Sequence, residues 1–186
     1  EGQLIIASTI KAPTLVASSA EEGMLCGITL ANAILSFDKP KFHIAESFHG
    51  CSILSLILRQ NSKCKDILLE IPYVVNKGMK SVTVFECLVK ATRKATQSRN
   101  HETLSLGLLQ LLCYWLHGSP AAAASFMSNN SNLVFFLDLL SPKTKLEYAT
   151  VHTQGLGSLI LGLLCIEYQG DSQDMGGHSK ESLVDT

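Results

Sequence analysis

The chain has 186 residues, of which 46% are hydrophobic and 17% are charged, and its formal net charge at pH 7 is −1. This composition predicts one globular domain with a sizeable core, or a few units of a repeat array. The near-neutral charge excludes the overall basic character that is typical of nucleic-acid-binding proteins.

Residues 1–22 combine a short apolar piece with Pro13 and small residues, which predicts a helix end followed by a loop. The start of the chain has neither the positive region nor the apolar core of a signal peptide. Apolar residues at helical spacing then predict helices over 24–37 and 42–60, separated by Pro40.

A shorter helix is predicted over residues 63–70, and Pro72 marks the loop that follows it. Val82 and Val84 alternate as in a strand. The later apolar spacing is helical, however, and we therefore predict a helix over 81–95.

Asn100 is the predicted N-cap of a helix that ends at Leu116. Ser119 and Pro120 predict the next helix, with serine as its cap and proline at its first helical position. Polar residues at 130–131 break that helix before a short apolar one.

Ser141 and Pro142 repeat the cap-and-proline signal and predict a long helix that reaches Tyr168. Its longest apolar run is about 12 residues, which indicates a buried helix and not a membrane span. Residues 169–186 predict a polar loop and the start of a truncated helix.

The helix that ends at Leu116 is apolar on nearly every side, and its small or polar residues form one narrow stripe. Comparable stripes occur in other predicted helices, and four sets share this pattern: Thr29, Asn32 and Ser36; Ser52, Ser55, Arg59 and Ser62; Gly107, Gln110, Tyr114 and His117; Gly155, Ser158, Gly162 and Cys165. An armadillo or HEAT unit has roughly 40–47 residues. The first spacing between successive stripes is about half of this length, and the later spacings are somewhat longer than it.

The inner helix of a stacked array packs against its own partner and both neighbours, so it must be apolar almost all round. The stripe is then the side that faces a groove or solvent. A four-helix bundle would have narrower apolar faces. We therefore predict an all-α, armadillo/HEAT-like α-solenoid, a right-handed superhelix of stacked helices, over residues 23–168.

The sequence offers only weak candidates for a metal site or for a catalytic nucleophile. His43 and Glu46 are helical neighbours, but His49 lies about 240° round the helix from His43, so the three cannot share one metal ion from one helix. Cys113 and His117 share a helix face. Because Cys113 lies among leucines, we expect an inert core thiol instead of a nucleophile. We predict no enzyme, no cofactor and no metal.

The six cysteines form no CxxC pair and lie mostly in apolar stretches, as buried reduced thiols of a cytoplasmic protein do. One basic cluster stands out, formed by Lys90, Arg93, Lys94 and Arg99. It either binds an anionic partner or lipid headgroup, or complements a helix C-terminus, and we favour the helix C-terminus. Residues 132–140 either form an exposed partner site or, as we favour, an outer helix packed inward.

Four ordered segments carry a family resemblance: Cys113-Tyr114-Trp115-Leu116, the alanines 121–124, Phe126-Met127, and residues 132–137. They resemble the armadillo-like head domain of the general vesicular transport factors, Golgi tethering proteins with a globular head and a coiled-coil tail. Residues 23–30, 51–71 and 153–171 are similar to further head segments. The likeness covers most of residues 20–171, and Ile28 departs from it where the family often has glycine.

The resemblance implies a vesicle-tethering protein of endoplasmic reticulum to Golgi and intra-Golgi traffic. Such a protein is cytoplasmic and peripheral on Golgi membranes and transport vesicles, acts before membrane fusion, and works with Rab-type GTPases, golgins and the SNARE machinery. It also implies a homodimer formed through a coiled coil outside this chain. No partner-contacting residue follows from it. The alternative is another α-solenoid adaptor, in nuclear transport or complex assembly.

Overall fold

A computed structural model of the chain describes residues 30, 32–35, 43–73, 82–141 and 151–168. The predicted end segments, residues 1–22 and 169–186, lie outside the described residues. Residues 30 and 32–35 are helical. The elements that follow are α1 (Ile44–Leu58), α2 (Ser62–Glu70), β1 (Pro72–Tyr73), β2 (Val82–Thr83), α3 (Val84–Thr96), a 3-10 turn (Arg99–His101), α4 (Glu102–Leu116), α5 (Pro120–Met127), α6 (Asn130–Leu140) and α7 (Val151–Glu167).

Among the described helices, α2 to α7 form two successive units of the same design. Each unit has a short helix, an outer helix and an inner helix: α2, α3 and α4, and then α5, α6 and α7. The inner helices stack in a row, with α4 between α1 and α7, and each outer helix packs on its own inner helix. Three helices per unit is the armadillo arrangement. The all-α, armadillo-like prediction is confirmed.

The core explains why α4 is so apolar. Most of its large side chains are fully buried because α1, α3 and α7 all pack on it. Trp115 meets Phe85 of α3 edge to face, with ring centroids 5.1 Å apart. The second unit has an aromatic pair between its short and outer helices, in which the ring centroids of Phe126 and Phe136 lie 5.5 Å apart.

The same turn connects an inner helix to the next short helix in both places. Gln60 and Gly118 each have a positive φ, 55° and 64°. The next residue caps the following helix: Asn61 accepts a hydrogen bond from the backbone N–H of Cys64, and Ser119 accepts one from Ala122. The predicted start of a helix at Ser119 is confirmed, with Pro120 at its first turn.

The helix predicted over residues 81–95 begins later than predicted. Val82 and Thr83 form β2, which pairs antiparallel with β1 at Pro72 and Tyr73, where a loop was predicted. Helix α3 begins after Thr83, whose side chain and that of Glu86 form a reciprocal capping box. Of the two alternating valines only Val82 lies in the strand, because this cap starts the helix at Val84.

One further predicted cap is wrong, and another lies at the edge of the described residues. The N-cap of α4 is His101, not Asn100, because a 3-10 turn precedes the helix. Ser141 is the C-cap of α6, and residues 142–150, where the next helix was predicted to begin, lie outside the described residues. The polar break lies at Asn129, which caps α6 from Asn130 onward.

Within the described ranges, the helices are too short or too polar to cross a membrane.

Candidate protein interface

The stripe on α4 is only partly exposed. Gln110 and His117 are exposed and Tyr114 is half-buried, as predicted for a face that no helix covers. Gly107 is buried, so its predicted place on the exposed stripe is wrong. A side-chain carbon added at Gly107 would lie 3.0 Å from Cδ2 of Phe48 in α1. The absence of a side chain there lets α1 and α4 approach closely.

The stripe predicted along α1 differs from the prediction at two of its four positions, and one of these, the exposed Ser62, lies in α2. Ser52 and Arg59 are exposed, but Ser55 is buried and donates a hydrogen bond to the carbonyl of Cys51 over 2.8 Å. Leu56, 63% exposed, lies between them. Of the first predicted stripe, only Asn32 belongs to the described residues, and it is exposed.

Helix α7 carries the most open stripe. Its four predicted members, Gly155, Ser158, Gly162 and Cys165, are all exposed. Two large apolar residues flank them, since Leu159 is 51% and Ile166 is 73% exposed. The opposite side of α7 packs on α4 and α6.

These exposed strips define one candidate site, which we call the inner face. It consists of Ser52, Leu56 and Arg59 of α1, Gln110, Tyr114 and His117 of α4, and Gly155, Ser158, Leu159, Gly162 and Ile166 of α7. Helix α4 packs against both α1 and α7, and α1 and α4 end in the same type of turn. Aliphatic side chains with interspersed hydroxyl, amide and guanidinium groups suit binding of a protein surface.

Cys113 behaves as the predicted core thiol. It is 8% exposed, and burial raises its pKa to about 12. Its sulfur lies 4.0 Å from the carbonyl oxygen of Leu156 in α7. A thiol with so high a pKa holds almost no thiolate at neutral pH, which agrees with the expectation of a buried core cysteine.

The histidines considered as metal ligands are on the surface. His43, Glu46 and His49 are all exposed. The described residues contain no group of three His, Cys, Asp or Glu side chains placed to hold a metal ion. A small cavity in the core is lined by hydrophobic side chains: Leu30, Ile34, Leu35, Leu54, Val84, Leu88 and Trp115.

The basic cluster is partly structural. Arg93 and Lys94 lie in the last turn of α3, where cations complement the helix dipole. The guanidinium of Arg93 lies 5.5 Å above the ring of Phe135 and donates a hydrogen bond to the hydroxyl of Ser131 over 2.9 Å. Arg93 therefore joins the two outer helices. Lys90 and Lys94 are exposed.

Helix α6 packs inward, as favoured above. Phe135, Phe136 and Leu139 are buried, whereas Val134 and Leu137 are 54% and 52% exposed. The buried Asn132 donates a hydrogen bond to the carbonyl of Phe126 over 3.0 Å, which satisfies the end of α5. The sequence analysis did not identify this role.

Comparison with known proteins gives a consistent result. The family model described as "Uso1 / p115 like vesicle tethering protein, head region" matches residues 8–184. The chain is similar to "General vesicular transport factor p115" of Homo sapiens, 29% identical over 88% of the chain and 16% of the relative. It is also similar to "Golgin candidate 6" of Arabidopsis thaliana, 30% identical over 73% of the chain and 15% of the relative.

The relative of the same name from Rattus norvegicus is 27% identical over 98% of the chain. The chain spans 17% of that relative's length, so it corresponds to a small part of these longer proteins.

Proposed function

The chain belongs to the family of Uso1/p115-like vesicle tethering proteins, and on this premise we propose that it forms part of a tether in endoplasmic reticulum to Golgi and intra-Golgi traffic. It acts by binding proteins. The tether is cytoplasmic, is peripheral on Golgi membranes and transport vesicles, and holds a vesicle before membrane fusion. The family match, which covers nearly the whole chain, is the observation that carries this proposal.

The inner face is the surface that we assign to partner binding. Three stacked helices offer a row of exposed side chains without large rearrangement, because each helix is fixed by its neighbours. The apolar members, Leu56, Leu159 and Ile166, are all more than half exposed. Exposed aliphatic residues among polar ones are typical of protein-binding patches.

The partners that we propose are a Rab-type GTPase, golgins and the SNARE machinery. Two names among the relatives, a vesicular transport factor and a golgin candidate, support this class of partner. The full-length protein would be a homodimer through a coiled coil outside this chain, and two heads per dimer would add avidity. We also propose that residues 23–168 form the repeat array, with residues 1–22 and 169–186 flanking it.

The alternative function is that of another α-solenoid adaptor, in nuclear transport or complex assembly. The stacked units alone would serve either role, since an array of this kind offers a surface for many partners. A coiled coil downstream of the array in the full-length protein favours the tether. Further repeats in that place favour the adaptor.

A pull-down tests the proposal. The intact protein, immobilised, is incubated with cytosol and with detergent-extracted Golgi membranes, in separate reactions loaded with GDP or with a non-hydrolysable GTP analogue. We expect a Rab-type GTPase to be retained from the GTP-analogue reaction and not from the GDP reaction. Retention of nuclear transport factors, or no nucleotide-dependent GTPase, would contradict the tether and favour the adaptor.

A further inference from the structure

One peptide group, between His117 and Gly118, is held on both sides by charged residues from different units. It forms the turn after α4. The ammonium of Lys65 in α2 donates a hydrogen bond to its carbonyl, on His117. The carboxylate of Glu167, at the end of α7, accepts a hydrogen bond from its N–H, on Gly118, over 2.7 Å.

Lys65 is unusual because its side chain is buried. It is 3% exposed, whereas lysines are almost never fully buried unless they are paired. Desolvation lowers its pKa, and the carboxylates of Glu167 and Asp66 counteract this effect. The His117 carbonyl is one of those that a helix C-terminus leaves without an intrahelical partner, where a cation is favourable.

The two bonds reinforce each other. A cation at the carbonyl oxygen withdraws electron density from the peptide group and makes its N–H a stronger donor to a carboxylate, and the converse also holds. Lys65 belongs to the first unit and Glu167 to the second. At this peptide group the two units are therefore held together by hydrogen bonds to charged side chains as well as by packing.

We propose that Lys65 and Glu167 form a clamp on the His117–Gly118 peptide group that couples the two units, so that they open together instead of separately. In a repeat array, rigidity depends on the interactions between neighbouring units. The clamp lies at the end of the inner face, beside His117. It fixes the direction of α7 relative to α4 whatever partner the inner face binds.

A double-mutant cycle followed by hydrogen exchange of the full chain tests the clamp. The variants are Lys65→Met, which keeps an unbranched side chain without charge, Glu167→Gln, which keeps an acceptor without charge, and both together. Lys63→Met is the control, because Lys63 is exposed on the same helix. Exchange is measured at the Gly118 amide and at the amides of α2 and α7.

We expect each single variant to speed exchange of the Gly118 amide about tenfold or more, and the control to change it less than twofold. In the Glu167→Gln background, Lys65→Met should add less than a threefold change, because the coupling is already lost. Rate changes that simply multiply, or an unchanged Gly118 amide, would overturn the proposal.

If Lys65→Met does not fold, Glu167→Gln alone decides the question. A clamp predicts faster exchange in α2, which carries Lys65, as well as in α7. Faster exchange confined to α7 would show that the units open independently and would contradict the clamp.

Discussion

Gln60 and Gly118 occupy the same position in two copies of one turn, and both have the left-handed backbone conformation, with φ values of 55° and 64°. Each follows an inner helix and precedes the residue that caps the next short helix. Glycine adopts this conformation without steric cost, whereas glutamine does not. The first copy of the turn therefore carries backbone strain that the second avoids.

Exchanging the residue types at these positions should change stability in opposite directions. Gln60→Gly should raise the free energy of unfolding by about 0.5–1 kcal/mol, because it relieves the left-handed strain. Gly118→Gln should lower it by about 1 kcal/mol, and through the backbone alone, because an added Cβ meets nothing within 4 Å. Urea unfolding measures both. Changes of the same sign would contradict an equivalent turn.

Two helical glycines should respond differently to alanine. Gly162→Ala should stabilise the protein by up to about 1 kcal/mol, since the site is open and alanine favours a helix. At Gly107 the new carbon would lie 3.0 Å from Phe48 Cδ2 and 3.4 Å from Cys51 Cβ. This crowding should offset the gain. Thermal unfolding compares the two variants, and equal stabilisation would mean that α1 and α4 do not approach closely.

Cysteine alkylation should follow burial. Cys165 is exposed, whereas Cys51 and Cys113 are buried, and burial raises the pKa of each of these two thiols to about 12. We expect iodoacetamide at pH 8 to modify Cys165 at least tenfold faster than either buried thiol. Peptide mass spectrometry gives the rates, and denatured protein provides the reference for equal access. Rapid modification of Cys113 in the folded state would refute its core position.

Stability should fall at alkaline pH because of the same two thiols. The pKa of Cys51 and of Cys113 rises from 9.0 to about 12 on folding, so the folded state keeps protons that the unfolded state releases. The stabilisation that comes from keeping these two thiols protonated is complete below pH 9. It is lost as the pH rises towards 12, and each thiol then lowers the free energy of unfolding by up to about 1.4 kcal/mol per pH unit.

A variant without these two thiols checks this pH dependence. The double variant Cys51→Ala and Cys113→Ala should be less stable at pH 7, because it loses packed atoms, while keeping the fold. Its free energy of unfolding should decline less steeply between pH 9 and 11 than that of the parent. Parallel pH profiles would show that the two thiols are not the cause.

Local signals in the sequence predicted the helices well where a cap fixes the start, as at Ser119 and Pro120. They failed where distant contacts decide. The pairing of Val82 with Tyr73 is not visible in either segment alone. Gly107 looked like a member of an exposed stripe, but only the approach of Phe48 shows that it is buried.

Lys65 illustrates the same limit at a side chain. In the sequence it lies in a polar helix start, where a lysine is expected to be solvated. Its burial depends on the turn after α4, whose carbonyl accepts its hydrogen bond. The family resemblance supplied the proposed function, but it could not indicate which exposed residues form a surface.

The inner face as a binding surface is tested most directly by two matched charge variants of the intact protein. One carries Leu56→Asp and Ile166→Asp on the inner face, and the other carries Val134→Asp and Leu137→Asp on α6, where the replaced aliphatic residues are also about half exposed or more. Circular dichroism first checks that both variants fold as the parent does. Vesicle capture on Golgi membranes should then fall at least tenfold for the inner-face variant and stay near the parent's level for the α6 variant. Unchanged capture by the inner-face variant, or loss only in the α6 variant, would contradict the assignment.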